Sequence, residues 1–132
     1  MNFDTGKGVL WDYNGTGSPT LTTGFGKHQL AKETYTHNSG TDFRPNGLAD
    51  ITAVTLNANI SNFDTPPINS DRVIVMFTQG ATARTVTFNS NYKRAGGGTI
   101  SVTASAGAID IFEFVGLGAG VYSLIGEFKN IS

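Results

Sequence analysis

The stretch from Asp71 to Lys129, DRVIVMFTQGATARTVTFNSNYKRAGGGTISVTASAGAIDIFEFVGLGAGVYSLIGEFK, constrains the fold more than any other. Short apolar or alternating runs are broken at close intervals by Gly, Asn and Ser, and no helical period crosses them. Val73 to Phe77 is a continuous apolar run, so it needs cover on both faces, or on one face plus a neighbouring subunit. Gly80-Ala81-Thr82 reads as a hairpin turn into Arg84–Phe88, where Val86 and Phe88 face inward and Thr85 and Thr87 outward. Asn89-Ser90-Asn91 turns again, and Tyr92-Lys93-Arg94 leads into the Ala95–Gly98 loop. Strands are then expected over 99–103, with Ile100 and Val102 on one face, over 108–115 and over 121–128. The second of these carries Ile109, Ile111, Phe112 and Phe114, which puts large apolar groups on both faces. Turns at Ala106-Gly107 and Gly116–Gly120 separate them.

Upstream the signal is thinner. Val54, Leu56, Ala58 and Ile60 fall at period two, as in a half-buried antiparallel strand, and Pro66-Pro67 remove two ladder donors beyond it. Residues 29–37 read as a further strand, and Arg44-Pro45-Asn46-Gly47 as a turn. Strands at roughly 8–12-residue spacing, without a helix, predict an all-β fold, an antiparallel β-sandwich or jelly roll spanning residues 29–132. Its surplus of apolar surface calls for a second cover.

Residues 1–28 are rich in Gly and Thr, with isolated aromatics at Phe3, Trp11, Tyr13 and Phe25. Such a segment buries little within itself. It is expected to be an extended N-terminal arm whose aromatics anchor on a neighbouring surface, the alternative being loops folded back over its own sheet. Charged residues are only 14% of the 132-residue chain, against about 25% in an ordinary soluble domain. With a formal net charge of -1 there is no basic field for nucleic acid or for a lipid surface. The lack of cysteine excludes disulfides, thiolate metal sites and a cysteine nucleophile. No apolar run is long enough to span a membrane, and the N-terminus lacks the pattern of a secretory signal.

Few residue patterns suggest chemistry. Val115-Gly116-Leu117-Gly118-Ala119-Gly120 resembles a dinucleotide-binding turn, but Val121 stands where the third glycine belongs and too little chain follows for a crossover. Gly24–His28 contains a Gly-Lys pair without the rest of a phosphate loop. His28 and His37 lack nearby co-ligands, so a surface or subunit-contact role is expected for them. Asp110 and Glu113, three apart on a strand, point to opposite faces and cannot form a local carboxylate pair. Asp42, Asp50, Asp64 and Asp71 are assigned to turns and caps. The expectation is no catalytic residue, no cofactor and no metal. Tyr92, Lys93 and Arg94, a small basic spot beside an aromatic, are expected to contact a partner, with an ion pair across a subunit boundary.

One part of the chain resembles a known module. Asp71-Arg72-Val73 with its apolar strand, Phe77-Thr78-Gln79, Arg84–Phe88, Gly97-Gly98 and Ala106–Phe114 are similar to a β-rich module of tailed-bacteriophage virion proteins, found in capsid decoration proteins, head fibres and tail fibres. The resemblance covers about residues 50–128 and leaves 1–49 outside it. It implies a β-rich, noncatalytic virion component, assembled in the host cytoplasm as a homotrimer. A short chain beginning with Met and carrying an aromatic-bearing arm suits a capsid decoration (cement) protein on the shell exterior, bound to the major capsid protein or another virion protein. The alternative is the receptor-binding tip of a head fibre or tail fibre.

Overall fold

A computed structural model describes residues 31–131. The predicted arm, residues 1–28 with Phe3, Trp11, Tyr13 and Phe25, lies outside the described residues. Nine strands follow: β1 Lys32–His37, β2 Asp42–Phe43, β3 Ile51–Leu56, β4 Ile60–Phe63, β5 Arg72–Gln79, β6 Val86–Phe88, β7 Tyr92–Lys93, β8 Ile109–Gly118 and β9 Val121–Ile131. They form a six-stranded sheet of order β1-β3-β5-β8-β9-β7 and a three-stranded sheet of order β2-β4-β6. The all-β class and the two facing sheets agree with the sequence-based expectation.

Strand direction differs from it. β1 pairs with β3 and β3 with β5 in parallel, as do β2 with β4 and β4 with β6. From β1 to β6 the chain therefore winds as a coil, alternating between the two sheets and returning each time one rung further on. Partners recur at Lys32, Ile51 and Ile74 in one sheet, and at Phe43, Phe63 and Phe88 in the other. Gly80 consequently starts a corner between sheets, not a hairpin: β5 and β6 lie in different sheets. Its N–H donates to the Leu56 carbonyl, and an added Cβ would stand 2.4 Å from Asn57 Oδ1 and 2.9 Å from that carbonyl oxygen.

The next coil is interrupted. β7 is parallel to β9, and β9, two antiparallel steps from β5, shares β5's direction. The β8–β9 hairpin thus occupies the places beside β5 and carries β7 to the sheet's far edge, with β8 alone running backwards. The hairpin closes at Ala119-Gly120, both with positive φ, between the paired Gly118 and Val121. This is the two-residue turn whose twist suits antiparallel strands, so the glycine-rich run is a hairpin corner. The strand expected over 99–103 is irregular backbone, yet its Ile100 is buried.

The core lies between the sheets. Alternation along β5 buries Val73, Val75, Phe77 and Gln79, and along β8 buries Asp110, Phe112 and Phe114. Phe43, Phe63 and Phe88 occupy successive rungs of the smaller sheet. Phe63 is fully buried, with ring contacts to Phe43 at 5.9 Å, Phe77 and Phe88 at 5.3 Å and Tyr92 at 5.5 Å. The contacts to Phe77 and Phe88 are edge-to-face and that to Phe43 stacked, geometries that add to ordinary area burial.

Two buried polar side chains satisfy backbone that the irregular segments leave unpaired. Gln79 Nε2 donates to the carbonyls of Arg84 (2.7 Å) and Thr103 (2.8 Å), while its Oε1 accepts the Arg84 N–H at 2.8 Å. Asp110 accepts the N–H groups of Thr103 and of Asn130, the latter at 2.7 Å. Asn130 itself has positive φ and lies where the β8–β9 register shifts between Ile109 and Ile111. Buried polar groups so paired avoid the cost of orphaned donors and acceptors.

Candidate interaction surface

The expected contact residues separate in the structure. Tyr92 is a core residue: it is 5% exposed, its ring stacks near Tyr122 at 5.7 Å, and its hydroxyl donates to the Asp64 carbonyl at 3.0 Å. Burial, then the neighbouring Tyr122 and Asp64, hold that hydroxyl far above the ordinary phenol range. The alternation of β7 turns Tyr92 inward and leaves Lys93 exposed. Arg94 pairs with Glu127 of the same chain, with Nη1 2.6 Å from the carboxylate, so the ion pair expected across a subunit boundary is made internally. His37, expected at the surface, is buried, and its Nε2 lies 3.2 Å from the Asn59 carbonyl at a corner of the coil. His28 lies outside the described residues.

Several carboxylates are occupied as structural groups. Asp64 accepts from Arg44 and from the Thr65 N–H. The arginine contact chiefly holds its carboxyl below the usual range, against the opposing effect of burial. Glu113 pairs with Arg72 at 3.4 Å on the outside of the larger sheet, opposite in face to Asp110 as the spacing predicts. Glu33 accepts from Asn46 and from the Tyr35 hydroxyl, which raises the tyrosine's pKa. Among the described residues no group of three or more His, Cys, Asp or Glu side chains stands close enough to hold a metal.

What remains is surface built from loops. At the end where β3 and β5 begin, Gly47–Asp50, Ser70–Arg72 and Ile74 line a cleft of about 430 Å³. The Gly47 Cα approaches Pro66 closely, since a Cβ there would lie 3.1 Å from the proline Cβ. This contact brings the 44–49 turn against the 64–70 loop. Gly116 joins the same end: its N–H donates to the Asp71 carbonyl at 2.8 Å, and an added Cβ would stand 2.3 Å from the Ser70 carbonyl oxygen. Three large apolar side chains project at this end, Leu48 at 73% exposure and Ile68 at 51% from the loops and Leu117 at 63% from the last residues of β8. In the fibre-tip reading the sequence points to the Gly116–Gly120 turn, which holds Leu117, and to Tyr92–Gly98 as contact loops, but not to Leu48 or Ile68. The available signal was an apolar residue directly after a turn, Leu48 after Asn46-Gly47 and Ile68 after Pro66-Pro67, where no strand can bury it.

Compared with known proteins, residues 43–121, more than half of the chain, match a family model described as putative phage tail fibre C-terminal domain. No curated protein and no solved structure matches the chain.

Proposed function

The chain belongs to the phage tail fibre C-terminal domain family and is a structural component of a tailed-phage virion, and from this premise we propose that it is a noncatalytic receptor-binding domain at the tip of a fibre, working as a homotrimer. The observation that carries the reading is the family match, which runs from β2 through the turn of the β8–β9 hairpin and so takes in most of the coil and the start of the hairpin. The loop end supports it. Leu48 lines a cleft that also carries Asp71 and Arg72, and exposed Ile68 and Leu117 add apolar contact area at the same end, a mixture suited to a glycan or protein surface. Asp64, Asp110, Glu113 and Glu127, engaged with arginines or backbone amides, support binding without catalysis.

The test is binding of the purified protein to host cells. A Leu48→Ser, Ile68→Ser, Leu117→Ser variant is expected to lose binding while keeping its melting temperature. Unchanged binding by this variant overturns the assignment to these loops.

A capsid-decorating position is the second reading, favoured by the spaced aromatics Phe3, Trp11, Tyr13 and Phe25 ahead of the β domain. Labelling of particles separates the two: label on the tail or a fibre tip supports the first reading, label over the shell the second.

A further inference from the structure

The first coil leaves its end open. Among the described residues β1 pairs only with β3, and β2 only with β4. Phe43 of β2 is half-buried there, with one ring face stacked on Phe63 at 5.9 Å. Phe63, one rung further in, has ring neighbours on both sides, Phe43 and Phe88, and is fully buried. The backbone shows the same asymmetry. On β4 the N–H groups of Asn62 and Asp64 donate back to the carbonyls of Thr41 and Phe43, at 3.1 and 2.8 Å. Register sets Asp42 and Phe43 opposite Asn62 and Phe63. The N–H groups of Asp42 and Arg44 therefore hold the matching places on β2 and point away from β4. An edge of this kind accepts a further strand.

The chain ahead of β1 carries a fitting occupant. Thr41-Asp42-Phe43 and Ser61-Asn62-Phe63 each place a hydroxyl residue two positions before the phenylalanine and turn residues after it. Thr23-Gly24-Phe25, followed by Gly26, repeats that order. The rungs fall at positions 43, 63 and 88, and Phe25 stands a comparable interval before the first of them. Residues 26–31 connect it to β1, as 44–50 connect Phe43 to β3 and 64–71 connect Phe63 to β5. A connection of that length suits one more turn of the same coil. We propose that the open end docks the chain's own Thr23-Gly24-Phe25 as a further parallel strand beside β2. Phe25 then lies over the outer face of Phe43, and the carbonyls of Thr23 and Phe25 accept the N–H groups of Asp42 and Arg44. This seat is the same whether the protein stands on a fibre or on the shell.

The chain has no cysteine, so a Gly24→Cys, Asp42→Cys variant of the full chain reports the contact by disulfide formation under mild oxidation. Positions 24 and 42 face one another across the proposed pair. The expected result is a bond within one chain, seen as a faster band on a non-reducing gel. Gly24→Cys combined with Ile125→Cys, an exposed position on β9 toward the other side of the larger sheet, is expected to stay reduced. A bond between two chains assigns the segment to a neighbouring copy and overturns docking within the chain. No bond, or equal bonding in both variants, overturns the seat itself. Amide exchange on the unsubstituted chain reads the same contact without cysteines. The Asp42 and Arg44 amides are expected to exchange slowly, and at least about tenfold faster in Phe25→Ala. Equal rates in the two proteins overturn the proposal as well.

Discussion

The six-stranded sheet is made of two unlike halves. In β1-β3-β5 the strands are short and parallel, and each is separated from its partner by a full turn of the coil through the other sheet. In β8–β9 the strands are the longest among the described residues, 10 and 11 residues, joined by a two-residue turn. The coil half closes large loops before its contacts form, and its order depends on corners fixed by His37, Gly80 and Gln79. The hairpin half needs only its turn and its alternation. The difference gives the hairpin its structural role. A stack of parallel rungs has an open edge after each coil, and β8, running backwards against β5, covers that edge over seven paired residues.

The largest predicted effect strikes the coil. Phe63 belongs to the smaller sheet but touches rings from both, so Phe63→Ala is expected to cost about 3–5 kcal/mol in urea unfolding. That is a large fraction of the roughly 5–15 kcal/mol that stabilises an ordinary domain. Leu124→Ala on the hairpin, only partly buried, is expected to cost less than half as much. Equal losses would mean that the two halves do not differ in how they hold the core. Next comes Gln79→Leu. It leaves the Arg84 N–H and the Arg84 and Thr103 carbonyls without their partner, for an expected loss of about 2–4 kcal/mol. Amide exchange is expected to speed first at the 80–85 corner and the 99–103 segment.

These corners explain what the sequence showed and what it hid. The hairpin was legible because its determinants are local: alternation through Asp110–Phe114 and a glycine-bearing turn. The coil was not, because β-alternation has the same period in parallel and antiparallel strands, and the partner of Val54 is Phe77, beyond an intervening strand in the other sheet. A faint trace did exist. Phe43-Arg44-Pro45, Phe63-Asp64-Thr65-Pro66 and Phe88-Asn89-Ser90 each set a phenylalanine before turn residues, and these phenylalanines are the rungs of the smaller sheet. Tyr92 was misread for a related reason: beside Lys93 and Arg94 it looks exposed, but one step of alternation puts it in the core. Of the candidate surface the sequence showed the turns, not their convergence, since Gly47 meets Pro66 and Gly116 meets Ser70 only after the coil has formed.

Titration sharpens the same contrast at two pH extremes. Tyr92, on the rung next to β9, stays protonated when folded, whereas an unfolded tyrosine ionises near pH 10. Its contribution is complete below that value, and stability is expected to fall as pH rises past it, by up to about 1.4 kcal/mol per pH unit. Tyr92→Phe should lessen that slope. Asp64 lies in the coil half and has the opposite sign. Its lowered carboxyl contributes above the unfolded value of about 4 and loses the contribution as pH falls through the folded one. Asp64→Asn is expected to flatten the acid limb of a urea-midpoint profile and to move the alkaline limb far less, since Asp64 supports the raised Tyr92 pKa less than burial and Tyr122 do. A variant that moved both limbs equally would mean that this charge, not burial, keeps Tyr92 protonated.

The smallest effect is a gain, and it tests the hairpin's independence most directly. Ala119 holds φ 56 in a turn where Gly120 follows at φ 76. A Cβ disfavours that conformation, while asparagine tolerates it and forms with glycine the preferred dipeptide of this turn. Ala119→Asn is therefore expected to stabilise the protein by about 0.5 kcal/mol, roughly a 2–4 °C rise in melting temperature. The turn is remote from the coil's corners, so the gain should add to the loss from Gln79→Leu without interaction. A double variant departing clearly from the sum would show that the hairpin and the coil form as one unit.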